Sequence, residues 1–306
     1  MTGTRHLLTL RDVTGPQIEH LFRSAAELKR RRIPPSRPLA GKTLALLFYK
    51  PSVRTRVSFE VGMSQLGGTS LYIGPVELQG GKRESPRDMA RVLCRYVDGI
   101  VARTFAHADV EELARFSSVP VINGLSDDSH PCQALADLFT VQEKIGKLKG
   151  VQIAYVGDGN NVCHSLMKAC ALTGAHLTVA SPKGYTPCGE VLRWALASAR
   201  STGARIRLVA TPGEGVRGAQ IVYTDVWTSM GQEKEAIRRR RIFRPFQVNR
   251  ALLRKARPGA LFMHCLPAHR GEEVTDEVMD SPRSIVYDQA ENRLHVQKAI
   301  LLMLLK

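Results

Sequence analysis

Thr43-Leu44-Ala45-Leu46-Leu47-Phe48-Tyr49 is followed, after Lys50-Pro51-Ser52, by Val53-Arg54-Thr55-Arg56-Val57-Ser58-Phe59-Glu60-Val61. The first run is apolar without alternation, as a strand covered on both faces requires. Pro51 breaks it, and Ser52 is a residue type that caps helix N-termini. Apolar residues at 53, 57 and 61 then keep helical spacing, so the pair predicts a buried strand over 43–49 and a helix over 53–66.

The same alternation extends in both directions. Short apolar runs at 99–102 and 119–122 predict further strands, and an Ala- and Leu-rich stretch at 130–145 predicts a long helix. After Gly150 the pattern restarts. Strands are expected at 151–156, 176–180, 221–224, 260–263 and 284–287, with a helix through Ser165 to Leu172 and a terminal helix over 292–305. Strands alternating with helices argue for parallel sheets covered on both faces. The expected fold class is therefore α/β, with two domains, each a parallel sheet flanked by helices. Pro34-Pro35-Ser36-Arg37-Pro38 predicts a rigid surface loop.

The bulk numbers fit this picture. The chain has 306 residues, 43% hydrophobic and 24% charged, enough for two packed cores and unlike a disordered chain. It has no run of 18 apolar residues, and the N-terminus lacks an apolar signal segment, so a cytoplasmic location and no membrane partner are expected. The cysteines at 94, 132, 163, 170, 188 and 265 show no C-x-x-C spacing, so free thiols are expected and no metal site. The net charge is +16, concentrated in Lys29-Arg30-Arg31-Arg32 and Arg238-Arg239-Arg240-Arg241. Aromatic content is only 6%, and no basic stripe alternates with aromatics. A solvated basic surface that steers anionic substrates is preferred to a nucleic-acid partner.

Chemistry concentrates at the ends of the expected strands. The start of the 53–66 helix offers free N–H groups, the hydroxyls of Ser52 and Thr55, and the planar fork of Arg54, which together suit a phosphate. An ordinary capped helix with Arg54 and Arg56 in solvent explains the local residues equally well. The G-x-x-x-x-G-K-[ST] spacing of a nucleotide loop is absent. Gly157-Asp158-Gly159-Asn160-Asn161 invites a dinucleotide reading, but Val162 stands where a third glycine belongs, and the next strand ends in Ala180-Ser181 without an acidic ribose ligand. Asp225, ending another strand before Val226-Trp227-Thr228-Ser229-Met230-Gly231, can hold an ammonium group. His264-Cys265-Leu266-Pro267 follows a strand, with no adjacent His–Asp pair to make Cys265 a protease-like nucleophile.

Taken together, these motifs resemble the aspartate/ornithine carbamoyltransferase family. The resemblance rests on Ser52-Val53-Arg54-Thr55-Arg56, His130-Pro131-Cys132-Gln133, Asp225 with Ser229-Met230-Gly231, His264-Cys265-Leu266-Pro267, and Glu291-Asn292-Arg293, in that order along nearly the whole chain. It departs from the family at Val53, where threonine is usual, and at Pro51, which replaces a polar residue. It implies a carbamoyl phosphate-binding domain over residues 1–135, an ornithine-binding domain over 136–290, and a C-terminal helix, 291–306, packing back on the first domain. It also implies transfer of the carbamoyl group of carbamoyl phosphate to the side-chain amine of ornithine, giving citrulline and phosphate.

The same resemblance assigns carbamoyl phosphate to Ser52, Val53, Arg54, Thr55, Gln79, Arg103, His130, Pro131, Cys132, Gln133, Cys265, Leu266 and Arg293. Ornithine falls to Asn161, Asp225, Ser229 and Met230. The catalytic residues it implies are Arg103, His130, Asp225 and Cys265. Gln79 is matched to a residue that the family supplies to a neighbouring subunit, and a trimer or a multiple of trimers is implied. No metal or organic cofactor is needed; binding is ordered, donor first, with domain closure. Two rivals stay open on the residues alone: a nicotinamide-dependent oxidoreductase, from Gly157 and Gly159, and a basic binding protein, from the arginine runs. Within the enzyme class, N-acetylornithine or putrescine could replace ornithine.

Overall fold

The computed structural model describes residues 6–31, 36–78, 84–229 and 231–306. Gln79 and Met230, and Pro34 and Pro35 of the expected rigid loop, lie outside those residues. The chain forms two compact units: residues 1–135 with 292–306, and residues 136–291.

The first unit is built on a four-stranded sheet. Its strands are β1 (Thr43–Phe48), β2 (Thr69–Ile73), β3 (Gly99–Arg103) and β4 (Val121–Leu125), in the order β2-β1-β3-β4. All pairs are parallel. Leu44 to Phe48 of β1 are fully buried, because β1 is an interior strand with both faces covered; this is the origin of its unbroken apolar run. The helix Val53–Leu66 starts at Ser52, whose extended backbone and side-chain oxygen cap the Thr55 N–H. It stops at Gly67, which takes a left-handed φ of 91° that a residue with a Cβ adopts only under strain. The C-terminal helix Val286–Leu305 has its last fourteen residues or so in this unit, where Lys298 Nζ donates to Gln65 Oε1 at 2.8 Å and Lys29 Nζ to Asn292 Oδ1 at 2.8 Å.

The second unit carries a five-stranded parallel sheet. Its strands are β5 (Gln152–Val156), β6 (His176–Ala180), β7 (Ile206–Val209), β8 (Ile221–Thr224) and β9 (Leu261–His264), in the order β7-β6-β5-β8-β9. Ala154, Val156, Val222 and Phe262 from three of these strands pack with Phe246, Val248 and Leu252 in one apolar core.

Both units therefore have the expected α/β character, with two differences in the elements. The edge strands β2 and β7 escape a pattern search, since β2 is partly exposed and β7 carries Arg207 in its middle. The strand expected at 284–287 is instead a single bridge from Ser284 to Phe262, after which the helix Val286–Leu305 begins. Helical geometry there lets the Gln289 side chain accept from the His264 N–H at 3.0 Å and donate to Asp137 at 2.7 Å. With the Phe262 N–H bonded to the Arg283 carbonyl and the Ile285 N–H to the Phe262 carbonyl, that contact covers the edge of β9, and the helix from Val286 overrides the strand propensity of Ile285 and Val286. Among the described residues no helix is long and apolar enough to cross a membrane.

Candidate functional site: a cationic half and a carboxylate half

In a parallel sheet the loops at the carboxyl ends of the strands hold ligands. In the first unit those loops carry Lys50 to Thr55 after β1, Arg103 at the end of β3, and the segment leading to His130 after β4. Thr55 is buried, and its hydroxyl accepts from Arg293 Nη2 at 2.8 Å and from Ser52 Oγ at 3.1 Å. Residues from the first and last parts of the chain thus meet at the N-terminus of one helix. Arg54 is half-buried on the same turn. Arg56 turns away: its guanidinium lies 3.8 Å from the Tyr72 ring centroid and pairs with Glu60 at 3.0 Å.

Arg103 pairs in register with Phe48, and the β3–β4 register shifts between Ala102 and Arg103, an irregularity of the kind that re-aims a strand-end side chain. His130 and Gln133 are buried at the start of the helix Pro131–Ile145. Burial pushes the His130 imidazole well below its ordinary value, and Arg293, Arg103 and Lys50 push it further. A neutral imidazole here donates one N–H without adding a charge. Cys132 points elsewhere: its thiol donates to the Asn123 carbonyl at 3.6 Å, and burial raises it to about 12, leaving its backbone as the part suited to a ligand.

Lys50 belongs to no motif in the sequence, although it lies between the β1 run and Ser52. Its side chain is buried, with Nζ 4.9 Å from the Phe105 ring centroid. Burial first, then Arg103, lowers its ammonium to about 8, against the opposing pull of Asp127. Lys50, Arg103 and Arg293, all buried and acting on one histidine, make this half a place where an anion is favoured.

In the second unit the neighbouring strands β5, β8 and β9 are followed at their carboxyl ends by Asn160, in the turn after β5, and by Asp225 and Cys265, each directly after its strand. Asn160 caps the helix Asn161–Thr173, its side-chain oxygen accepting from the N–H groups of Val162 and Cys163. Its amide donates to Asp225 Oδ2 at 2.7 Å, while the Cys265 thiol donates to Asp225 Oδ1 at 3.0 Å. Burial, with Asp225 next, raises the Cys265 thiol well above its ordinary value, so it is a proton holder and not a thiolate. Asn161 accepts from the Val162 N–H at 2.9 Å, and Ser229 lies half-buried on the loop after Asp225. Asn160 was missed as a carboxylate partner because only its neighbour matched the family pattern.

Leu266 takes a left-handed φ of 58° and its N–H donates to His264 Nδ1 at 2.9 Å. That contact leaves the imidazole proton on Nε2, facing Glu273 Oε1 at 3.2 Å. Asp225, His264 and Cys265 place ligand atoms within 4.8 Å of one another. Their mutual engagement, a protonated thiol and an imidazole bonded on both nitrogens, does not suit metal ligation. The glycine-rich turn also has a structural cause. A Cβ on Gly159 would stand 2.2 Å from Pro187 N, so backbone packing, not a pyrophosphate, demands the glycine.

Two family models match the chain. Residues 5–143 match the family model described as "Aspartate/ornithine carbamoyltransferase, carbamoyl-P binding domain", and residues 149–304 match "Aspartate/ornithine carbamoyltransferase, Asp/Orn binding domain". The chain belongs to the aspartate/ornithine carbamoyltransferase family. A curated ornithine carbamoyltransferase of Pyrococcus horikoshii is 57% identical over 98% of this chain and 96% of its own length. The anabolic ornithine carbamoyltransferase of Pyrococcus furiosus is 56% identical over the same shares. A solved structure of ornithine carbamoyltransferase from Pyrococcus furiosus superposes with a TM-score of 0.95, covering 99% of this chain and 97% of that one. Within the carbamoyltransferase family, Lys50, Ser52 to Thr55, Arg103, His130 and Gln133 of the cationic half fall in the carbamoyl-P match, while Arg293 and the Asp225 cluster fall in the Asp/Orn match. Val53, the departure from the family motif, is 77% exposed.

Proposed function

We propose that the chain is an ornithine carbamoyltransferase that makes citrulline in arginine biosynthesis, with the two halves described above as its donor and acceptor sites. The observation that carries this reading is Asp225: a buried carboxylate held from both sides by Asn160 and Cys265 is set to receive an amine-bearing acceptor. The anabolic relative supports the biosynthetic direction.

The donor's phosphate is held by the helix N-terminus, with Ser52, Arg54, Thr55, the Val53 backbone and Arg293, and with Gln79 from a neighbouring copy. Arg103, Thr55 and neutral His130 donate to the carbonyl oxygen, Gln133 and the backbone of Pro131 and Cys132 shape its surroundings, and the Leu266 carbonyl orients the carbamoyl NH2. Hydrogen bonds aimed at an oxygen as it becomes negative form the largest single contribution in reactions of this type. Ornithine is held by Asp225, Asn161, Ser229 and Met230. Its side-chain amine, with an ordinary pKa of about 10.4, gives up a proton before it can attack. Attack forms the C–N bond, and the intermediate collapses as the C–O bond to phosphate breaks, the departing phosphate taking the proton that the attacking nitrogen sheds. Asp225 lies beside a thiol that already keeps its proton, so the carboxylate is the group suited to bias the ammonium toward the free amine. Holding both reactants in attacking geometry contributes about 7–11 kcal/mol at best.

No metal or organic cofactor enters this scheme. The working assembly in this reading is a trimer or a multiple of trimers in the cytoplasm, with no nucleic-acid or membrane partner, supported by the family resemblance. The experiment that tests the assignment is a colorimetric citrulline assay with purified protein, carbamoyl phosphate, and ornithine, N-acetylornithine, putrescine or aspartate as acceptor. Turnover with ornithine far above the others is expected; preference for any other acceptor overturns the reading.

A further inference from the structure

The run Arg238-Arg239-Arg240-Arg241 reads as a basic patch, yet its members part company in the fold. Arg238, Arg240 and Arg241 are exposed on the helix Ala236–Phe243, and Arg240 pairs with Glu272 at 2.8 Å. Arg239 is buried. A single nitrogen, Nη1, donates to Asp158 Oδ2 at 2.8 Å and to the Trp227 carbonyl at 2.9 Å, while Nε pairs with Glu235 at 3.0 Å. The guanidinium also lies 4.9 Å from the Tyr185 ring centroid, and Phe243 of the same helix stacks on Trp227 with ring planes 24° apart.

These contacts join two segments that carry the acceptor half. Asp158 sits in the turn that presents Asn160, the residue donating to Asp225 Oδ2. Trp227 lies two residues beyond Asp225, in the segment leading to Ser229. We propose that Arg239 is a positioning residue of the acceptor site: it ties the turn after β5 to the loop after β8, and so fixes the angle at which the Asp225 carboxylate meets the incoming amine.

Two further observations point the same way. Trp227 Nε1 and Thr228 Oγ1 are buried with no hydrogen-bond partner among the described residues, so the contact of Arg239 with the Trp227 carbonyl is a polar tie that this loop makes to the turn after β5. Burial raises the Asp158 carboxyl, and Arg239 opposes that rise, so the pair stands or falls together. The inference rests on the reading of Asp225 as the acceptor's carboxylate.

The test is steady-state kinetics and carbamoyl phosphate calorimetry on the full-length enzyme. Arg239→Met, which keeps the bulk and removes every donor, should lower kcat/KM for ornithine about ten- to a hundredfold, the scale of a misplacement near 1 Å. Carbamoyl phosphate affinity should move less than about twofold. Arg239→Lys, which keeps the positive charge and N–H donors, should recover most of the loss. Should Arg239→Met fail to fold, Asp158→Asn keeps an oxygen acceptor without the charge and should show a smaller loss confined to ornithine. The proposal is overturned by an unchanged kcat/KM for ornithine in whichever of these variants folds, by equal effects on both substrates, or by Arg239→Lys no better than Arg239→Met. Asp225→Asn serves as the control: if it spares ornithine use, the acceptor-site reading itself fails, whereas damage there with none at Arg239 condemns the positioning role alone.

Discussion

Replacing Lys50 by arginine should uncouple donor binding from protonation. The wild-type ammonium is brought down to about 8, chiefly by burial and then by Arg103. At pH 8 about half of the unliganded sites therefore carry the charge. A phosphate substituted on one oxygen is dianionic above a pKa of about 6, and a dianion near Nζ favours the charged lysine. If bound donor restores the ordinary value of about 10.4, binding takes up about 0.1 proton at pH 7, about 0.5 at pH 8 and about 0.9 at pH 9. The affinity should weaken about tenfold from pH 7 to pH 9, or about 1.4 kcal/mol. His130 adds nothing in this window, since burial and its three cationic neighbours keep it neutral. Calorimetry with carbamoyl phosphate in two buffers of unlike ionisation enthalpy measures the uptake directly. Lys50→Arg carries a permanent charge, so its uptake should vanish while affinity at pH 7 is kept. Identical uptake in the variant and the wild type would refute the role given to Lys50.

Three other outcomes follow from the site. Arg54→Ala should weaken carbamoyl phosphate binding by about 1.5–3 kcal/mol, the worth of charge-assisted hydrogen bonds, and an unchanged dissociation constant in calorimetry would sink the donor assignment. Asp225→Ala should leave donor affinity alone and damage ornithine turnover; normal turnover with unaltered acceptor preference contradicts the acceptor assignment. Asn160→Ala removes both a helix cap and a partner of Asp225, so urea denaturation should show a loss of about 0.5–2 kcal/mol together with a raised ornithine KM. A stability loss with unchanged KM would reduce Asn160 to a cap.

The strand–helix alternation was legible wherever an element is buried on both faces. Leu44 to Phe48 and Ile221 to Thr224 are interior strands, and their unbroken apolar runs announce them. Edge strands announce themselves poorly: Thr69–Ile73 needs only one covered face and has one neighbour to pair with. At the site, residues within short motifs could be read, because Ser52 and Thr55 act through the helix start that their own spacing creates. Lys50 could not, since its depressed ammonium comes from burial beside Arg103, a residue distant in sequence. Arg239 was misleading for a similar reason. Four consecutive arginines look alike on paper, and only the helix phase, which buries one in four, separates the inward one from its neighbours.

The Cys265–Asp225 contact has a consequence for how the protein survives oxidative and electrophilic stress. Peroxides and alkylating agents attack thiolates, and reach exposed ones first. Cys265 keeps its proton because a carboxylate accepts it at 3.0 Å and burial disfavours the anion. Cys188 stands exposed, and the Cys94 thiol is lowered below its ordinary value. Electrophilic damage should therefore collect at these two outlying sulfurs, leaving the sulfur beside the amine-binding carboxylate chemically quiet.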